Sequence, residues 1–161
     1  MAFISVERAG GKNVLAFLDM IAFSEIGPQI LAASDDGYNV LVGSTPSHIM
    51  TFKSYADHPN IDNRAMNSDA AGRYQIMHRW WPHYKALLRL PDFGPLSQDL
   101  YAIRQFEEQR AMPHILAGEF EKAVACCRNI WASLPGAGYG QHENRLERLA
   151  NAFTQAGGVI A

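Results

Sequence analysis

The chain has 161 residues, of which 48% are hydrophobic and 19% are charged, and its formal net charge at pH 7 is −2. A chain of this length buries about 70% of the surface that it exposes when unfolded, so it builds a core without disulfides or a structural metal. The charge balance excludes the basic surface that steers proteins to nucleic acid or to anionic membranes. We therefore expect a soluble globular protein with no nucleic-acid partner and no stable membrane association.

The cysteines and the N-terminal residues bear on the cellular compartment. Cys126 and Cys127 are adjacent in a helical pattern, where two thiols do not reach disulfide geometry, which predicts reduced core residues. The run Met1–Val6 lacks the basic segment, the long apolar stretch and the cleavage site of a secretory leader. These features predict a protein made in the cytosol that needs a helper to reach any substrate outside the cytoplasm.

Residues Asn13–Glu25 carry the pattern of an amphipathic helix. Its apolar stripe consists of Val14, Phe17, Leu18, Ile21 and Ala22. Glu25 falls next on this stripe, and Gly27 and Pro28 then end the helix. A carboxyl held against apolar side chains has a raised pKa, which is the property of a general acid in glycosidic bond cleavage. The alternative is a partly solvated charge at a helix end.

The next part of the chain predicts a small sheet and a long loop. Ile30–Asp36 is expected to be irregular, Tyr38–Val42 is strand-like, and a second extended piece lies near Thr51–Tyr55. The polar stretch Asp57–Asp69 has the composition of a long surface loop.

From Ala70 onward the pattern is helical, with proline and glycine as boundaries. Four helices are predicted at Ala70–Leu90 with a division at Pro82, at Pro95–Arg110, at Pro113–Gly118 and at His142–Ala156. A further helix, between the last two of these, carries Phe120, Val124, Cys127 and Trp131 on one face. The fold class is α+β, mostly helical with a small β-sheet lobe after the first helix.

Several kinds of site are excluded or disfavoured. The glycine-rich run Gly136–Gln141 does not follow a strand, which argues against dinucleotide binding, and a phosphate-binding Lys with Ser or Thr is missing. The six histidines are scattered, so we expect no metal and no cofactor. A nucleophile made of Cys126 or Cys127 with a histidine is a weak candidate, and no G-x-S-x-G motif for a serine hydrolase is present.

Two small-residue segments are candidates to face Glu25. Ala71–Gln75 lets the backbone approach a ligand, with an ordinary helix start as the alternative. Gly136–Gln141 offers the ring of Tyr139, with a plain turn as the alternative. Trp80 and Trp81 could stack on sugars, although adjacent aromatics in a helix are usually half core and half surface.

Taken together, these segments resemble the endolysins of phage lambda and its relatives among tailed phages. The resemblance extends from about Ala16 to Gly158, and the block Asn129–Gln141 is its most specific part. The other motifs that carry it are Phe17-Leu18-Asp19-Met20 with Ser24-Glu25, Gly37-Tyr38, Asp57-His58-Pro59, Gly72-Arg73-Tyr74-Gln75, and Trp80 or Trp81.

The resemblance implies a single lysozyme-like catalytic domain over residues 1–161, with a small β lobe at about 37–69 and a helical lobe at 11–27 and 70–158. It implies cleavage of the β-1,4 bond between N-acetylmuramic acid and N-acetylglucosamine by a lytic transglycosylase, with Glu25 as the catalytic acid. It also implies two lips over a glycan groove, one at Asp57–Asp69 and one at Pro135–His142. The implied substrate-binding residues are Ser24, Tyr38, Asp57, His58, Arg73, Tyr74, Gln75, Tyr139 and Gln141.

The number of carboxylates supports the non-hydrolytic choice. Hydrolysis usually needs a second carboxylate, whereas a transglycosylase needs only one. A second family of phage muramidases has an Asp and a Thr after its Glu where this chain has Ser34 and Val40. The carboxyls of Asp35, Asp36 and Asp57 remain as possible second groups. A hydrolytic muramidase and an inactive murein-binding protein are therefore the alternatives.

The resemblance also suggests a biological setting. A phage or prophage endolysin accumulates in the host cytosol and reaches murein after a holin opens the inner membrane. From this we expect peptidoglycan glycan strands as the partner, functional dependence on a holin, and a monomer.

Overall fold

The computed structural model describes residues 1–138, 140 and 143–161. They form two compact units: one consists of Met1–Glu25 with Ala102–Ala161, and the other of Ile26–Tyr101. Helix α5 contributes residues to both units. The helices of the described residues are α1 (Val6–Ala9), α2 (Lys12–Glu25), α3 (Pro28–Ala32), α4 (Trp81–Leu88), α5 (Pro95–Glu108), α6 (Met112–Ala117), α7 (Phe120–Cys127) and α8 (Leu146–Gln155).

The core of the first unit surrounds α2. The predicted apolar stripe of this helix is fully buried. The ring of Phe17 makes edge contacts with Phe106, Phe120 and Phe153, at centroid distances of 5.1, 6.3 and 6.3 Å. Such contacts add about 0.5–1.5 kcal/mol each to the burial of the rings. The core therefore holds α2 in place along its length and fixes the position of its last residue, Glu25.

The end of α2 follows the predicted signals. Gly27 has φ +85°, and Pro28 occupies the first position of α3. A side chain with Cβ rarely adopts this φ, and proline leaves no N–H to continue the helix, so the chain changes direction directly after Glu25. The segment Ile30–Asp36, expected to be irregular, includes the second half of α3.

The predicted β-sheet lobe is wrong. Within the described residues the extended pieces of the second unit form isolated antiparallel bridges and no sheet. Val40 pairs with Thr51, but the next residue, Leu41, pairs with Ala71, so consecutive residues have different partners and no ladder develops. Glycines with positive φ at Gly37 and Gly43 turn the chain at both ends of the predicted strand. The mainly helical character of the prediction is confirmed.

The helix predicted to begin at Ala70 is also wrong in its first half. Ala71 and Ile76 exchange both backbone hydrogen bonds, at 3.0 and 2.8 Å, and enclose a tight turn. Within this turn Gly72 and Gln75 have φ values of +80° and +49°. The helix proper starts at Trp81, with Pro82 in its first turn. Farther along, α7 ends before Trp131, and α8 begins only at Leu146.

A buried amide holds the turn at Gly72 in place. The side chain of Gln98 donates from Nε2 to the carbonyl oxygens of Tyr38 and Phe93, at 2.9 and 2.8 Å. Its Oε1 accepts from the backbone N–H of Arg73 at 2.9 Å. Gln98 is fully buried, so each of these bonds replaces one that water would otherwise make.

None of the helices in the described part of the chain combines the length and the apolar character that a bilayer span requires.

Candidate active site

Glu25 is the last residue of α2 and is half-buried. Burial raises the pKa of its carboxyl from 4.5 to about 7, against the opposing effect of hydrogen bonds from the side chain and the backbone of Ser133. The helical spacing predicted this raised pKa. A carboxyl with such a pKa is protonated in a large fraction of molecules at neutral pH, so Glu25 can donate a proton and take one back there.

The Glu25 carboxyl lies at one end of a series of polar contacts. Ser133 donates its hydroxyl to Oε1 of Glu25 at 2.5 Å, and the hydroxyls of Ser24 and Ser133 lie 2.7 Å apart. The side-chain nitrogen of Asn144 donates to both the carbonyl oxygen and the hydroxyl of Ser24, at 3.1 Å each. Ser24, predicted to bind substrate, is buried and contacts Glu25 through Ser133.

The loop that carries Ser133 is held by its own hydrogen bonds. Asn144 donates its backbone N–H to the carbonyl oxygen of Ser133 at 2.8 Å. The backbone N–H groups of Gly136 and Gly138 donate to the two carboxylate oxygens of Glu143, at 2.8 Å each, and these bonds lower the pKa of Glu143. Tyr139 and Gln141, predicted to bind substrate, lie outside the described residues.

Three of the predicted substrate-binding residues form one buried polar cluster in the second unit. Tyr38 and Tyr74 both donate their hydroxyls to Oδ1 of Asp99, at 2.8 and 2.6 Å. Arg73 forms an ion pair with Asp36 at 2.9 Å, and its guanidinium stacks over the ring of Tyr38. Burial and then the charge of Asp99 raise the pKa of Tyr74 well above its usual value. These contacts give the three residues a role in the polar core, and direct contact with a glycan stays a prediction.

Asp57 is a surface carboxylate with fixed partners. It accepts from Nε1 of Trp81 at 2.6 Å and pairs with the ammonium of Lys85 at 3.0 Å. Partial burial opposes the shift, but the bonds from Trp81, Lys85 and the backbone of His58 lower its pKa. Asp57 is therefore a carboxylate at neutral pH, and not an acid. Of the two adjacent tryptophans, Trp81 is buried and Trp80 is about half exposed, as the sequence predicted.

His58 and Gln75 both make local contacts. His58 is buried, and its Nδ1 accepts from the backbone N–H of Asn60 at 3.1 Å, so its Nε2 carries the proton that bonds the carbonyl oxygen of Ile76 at 2.8 Å. Burial lowers its pKa, which keeps the ring neutral near pH 7. Gln75 donates its side-chain amide to the carbonyl oxygen of Gly72 at 2.9 Å. Both residues shape the turn that follows Asp69.

Comparison with known proteins identifies the family. The sequence model of the Endolysin family matches residues 15–160, nearly the whole chain. The chain belongs to the endolysin family. Over 158 residues this member is 46% identical to the endolysin of Escherichia phage P2, and the matched region covers 93% of this chain and 96% of the relative. It is 44% identical over 151 residues to the endolysin of Escherichia phage lambda, with 90% and 91% covered.

The structure of this endolysin also resembles a solved structure. It is similar to bacteriophage lambda lysozyme complexed with a chitohexasaccharide, with a TM-score of 0.84, 41% sequence identity and complete coverage of both chains. The resemblance seen in the sequence is therefore confirmed. As a lysozyme-like endolysin, the protein is an enzyme of cell-wall lysis.

The contribution of Ser133 and Asn144 to the endolysin site was not predicted. Ser133 lies inside the block Asn129–Gln141 that carries the resemblance, but 108 positions separate it from Glu25. Helical periodicity relates residues three or four positions apart, so no local pattern could connect these two side chains. Only the packing of the first unit brings them together.

Proposed function

We propose that this endolysin cleaves the β-1,4 bond between N-acetylmuramic acid and N-acetylglucosamine as a lytic transglycosylase, and leaves a 1,6-anhydro end on the muramic acid. The observation that carries the proposal is the half-buried carboxyl of Glu25 at the end of α2, with a pKa of about 7. Membership of the endolysin family supports a peptidoglycan substrate, and the lambda lysozyme complex with a chitohexasaccharide supports a glycan strand as the bound form.

The reaction needs one group that first acts as an acid and then as a base. Protonated Glu25 gives its proton to the glycosidic oxygen as the bond to C1 of the muramic acid breaks, which leaves an oxocarbenium-like sugar. The resulting carboxylate then takes the proton of the C6 hydroxyl as O6 bonds to C1. Glu25 ends the cycle protonated, and no water is consumed. A pKa near the working pH serves both half-reactions.

The environment of the remaining carboxylates supports this mechanism over hydrolysis. A retaining or inverting hydrolase uses a second carboxylate at the reacting sugar. Asp36 is paired with Arg73, and Asp35 accepts from the hydroxyl of Tyr55 at 2.5 Å. Asp57 is held by Lys85 and Trp81. Each candidate second carboxylate thus has a local structural partner.

The proposal includes the groups around the reaction and its biological setting. We assign glycan contacts to the predicted residues on the two lips, with Asp57 as the exposed carboxylate among them. Tyr38, Arg73 and Tyr74 would then act from beneath the surface by holding the turn. We also propose that the protein acts as a monomer, and that it depends on a holin to reach murein from the host cytosol.

The masses of the released muropeptides test the reaction. Purified sacculi are digested with the endolysin, and the products are separated and weighed. A transglycosylase releases muramic acid ends about 18 Da lighter than hydrolytic products, because one water is not added. Products without this lighter mass would establish a muramidase instead.

Two matched carboxylate-to-amide variants assign the acid. Glu25→Gln keeps the shape of the side chain but removes the proton donor, so we expect release to fall at least about 1000-fold. Glu108→Gln makes the same chemical change at an exposed carboxylate paired with Arg104 in α5, and we expect anhydro products at a rate within about threefold of the parent. Activity in Glu25→Gln would contradict the proposed acid. Murein binding without cleavage by the parent would establish a binding protein.

A further inference from the structure

The side chains behind Glu25 form a continuous chain of hydrogen bonds. It runs from Arg148 through Asn144, Ser24 and Ser133 to Oε1 of Glu25, and its contacts measure 3.3, 3.1, 2.7 and 2.5 Å in that order. Ser24 and Asn144 are buried, and Arg148 is exposed with its guanidinium over the ring of Phe23.

The outer end of this chain sets the orientation of the Asn144 amide. A guanidinium has only donors, so the oxygen of the amide is the atom that accepts from Nη1 of Arg148. The nitrogen of the amide consequently faces Ser24, where its two protons are directed to the carbonyl oxygen and the hydroxyl of that residue. The hydroxyl of Ser24 is therefore an acceptor towards Asn144.

The number of protons that each group can donate also determines the direction of the remaining hydrogen bonds. A serine hydroxyl has one proton, and Ser24 receives a bond from Asn144, so its own proton is directed to Ser133. Ser133 then directs its proton to Oε1 of Glu25. If Oε1 of Glu25 carried a proton, that proton would face the proton of Ser133. If the direction of the hydroxyl hydrogen bonds were reversed, the proton of Ser24 would face the N–H of Asn144. Both arrangements are unfavourable because two protons would point at each other.

We infer that Ser24, Ser133 and Asn144 are positioning residues, which reserve Oε1 of Glu25 as a permanent acceptor and place the catalytic proton on Oε2. This inference rests on the proposed function for Glu25 as the acid. It names the reacting oxygen: Oε2 protonates the glycosidic oxygen and later receives the proton of the C6 hydroxyl. It also implies that the hydrogen bond from Ser133 to Oε1 stabilises the carboxylate and so opposes the effect of burial on Glu25.

The other charged groups of this region do not replace Ser133 in that task. Among the described residues, burial and the two contacts from Ser133 are the influences resolved on the pKa of Glu25. Arg148 donates to Asn144, which is separated from Glu25 by Ser24 and Ser133, and the carboxylate of Glu143 accepts from the N–H groups of Gly136 and Gly138. A change at Ser133 is therefore expected to act on Glu25 directly.

Ser133→Ala tests the inference by two measurements. The first is the titration of the Glu25 carboxyl by ¹³C NMR, with the signal assigned by its loss in Glu25→Gln. The second is the pH profile of murein release at constant ionic strength. Loss of one hydrogen bond to the carboxylate raises its pKa, so we expect the midpoint and the alkaline limb of activity to move up by about one pH unit. The maximal rate falls as the carboxyl loses its fixed orientation.

Three further variants make the result specific. Ser133→Thr keeps a hydroxyl and restores the parent midpoint. Ser24→Ala is compatible with the helix, because alanine favours it, and gives a smaller shift in the same direction. Ser97→Ala removes a buried serine whose hydroxyl donates to Asp92 at 2.9 Å, and so controls for general loss of stability. It leaves the midpoint of Glu25 unchanged.

The outcomes separate this inference from the proposed function. An unchanged midpoint and pH profile in a folded Ser133→Ala variant would overturn the inference, even if Glu25→Gln is inactive. If Glu25→Gln retains activity, the proposed function fails, whereas the NMR titration still reports whether Ser133 acts on Glu25. Should Ser133→Ala not fold, an unshifted midpoint in Ser24→Ala would overturn the inference.

Discussion

The hydroxyl of Ser133 donates to Oε1 of Glu25 at 2.5 Å, across 108 positions of sequence. Two opposing effects meet at this carboxyl: burial raises its pKa and the bonds from Ser133 lower it. Their balance at about 7 gives a group that is acid and base in comparable amounts at neutral pH. A more buried or less hydrogen-bonded carboxyl would be a weaker acid, and a more exposed one would be mostly ionised at neutral pH and would hold no proton to donate.

The raised pKa of Glu25 implies a cost in stability at neutral pH. A folded pKa of about 7 against 4.5 means that the folded state binds more protons than the unfolded state between these values. The free energy of unfolding therefore falls as the pH rises from 4.5 to 7 and levels off above. Glu25→Gln removes this cost, so we expect it to stabilise the protein at pH 8 by up to about 3 kcal/mol.

Urea denaturation of the parent and Glu25→Gln at pH 4.5 and pH 8 measures this difference. The stabilisation should be small at the lower pH, where the parent carboxyl is protonated in the folded state, and full at the higher one. Glu7→Gln, at an exposed glutamate in α1, provides the matched carboxyl-to-amide control. An equal effect of Glu25→Gln at both pH values would contradict the prediction.

In the proposed mechanism the first step needs protonated Glu25, so activity should fall as the pH rises through neutrality. With a pKa of about 7, the initial rate of murein release at low substrate should decrease about tenfold per pH unit above that value. The measurement is the loss of turbidity of purified sacculi at constant ionic strength, since salt screens the approach to an anionic polymer. A constant rate from pH 6 to pH 9 would be inconsistent with a single acid of this pKa.

The paired tyrosines at Asp99 should matter for stability more than for turnover. Tyr38→Phe and Tyr74→Phe each remove a buried donor to the same carboxylate oxygen, so each should cost about 1–3 kcal/mol in the free energy of unfolding. Tyr55→Phe removes a tyrosine donor to Asp35 at a more exposed place. Because water can replace an exposed hydrogen bond, this variant should lose less than about 1 kcal/mol in the free energy of unfolding.

Kinetics of the same variants test the predicted glycan contacts. If the two hydroxyls only support the turn, the concentration of murein that gives half-maximal rate stays within about twofold of the parent value. A rise of tenfold or more in a variant that is still folded would instead place the hydroxyl on the substrate. The double variant should lose less stability than the sum, because both tyrosines share one acceptor.

Gly72 should tolerate no side chain. Its φ is +80°, and a Cβ there would lie 2.2 Å from Oε1 of Gln98, the atom that accepts from Arg73. We expect Gly72→Ala to reduce the free energy of unfolding by about 2–4 kcal/mol, from the strained backbone together with the displaced amide. Gly10→Ala, at φ +95° with no atom within 4 Å of the added Cβ, isolates the strain alone and should cost about 1–2 kcal/mol. Equal losses would exclude the clash.

Local signals in the sequence predicted several elements well. The apolar spacing before Glu25, the proline at Pro95 and the glycine at Gly118 each mark a helix boundary that the structure confirms to within a residue or two. These signals work because helix ends depend on the conformational limits of single residues. The same reasoning placed a carboxyl with a raised pKa at the end of α2.

Nonlocal contacts explain the errors. A turn forms at Ala71–Ile76 in place of the predicted helix because buried hydrogen bonds stabilise it. The hydroxyl of Tyr74 donates to Asp99, and the backbone N–H of Arg73 donates to the side chain of Gln98. The predicted strand at Tyr38–Val42 fails to join a sheet because its residues Val40 and Leu41 pair with different segments. Propensity counts only nearby residues, whereas the free energy of these contacts comes from residues far along the chain.

The amino-acid sequence by itself determined the family, the helical character and the location of a carboxylic acid with a raised pKa, since each of these depends on motifs or on spacing within one helix. The tertiary structure alone decided which atoms adjust that acid. Ser133 and Asn144 reach Glu25 and Ser24 only when the first unit has packed, and a hydrogen bond requires its two atoms within about 3 Å. Sequence distance carries no information on that scale, so the partners of Glu25 became visible only in three dimensions.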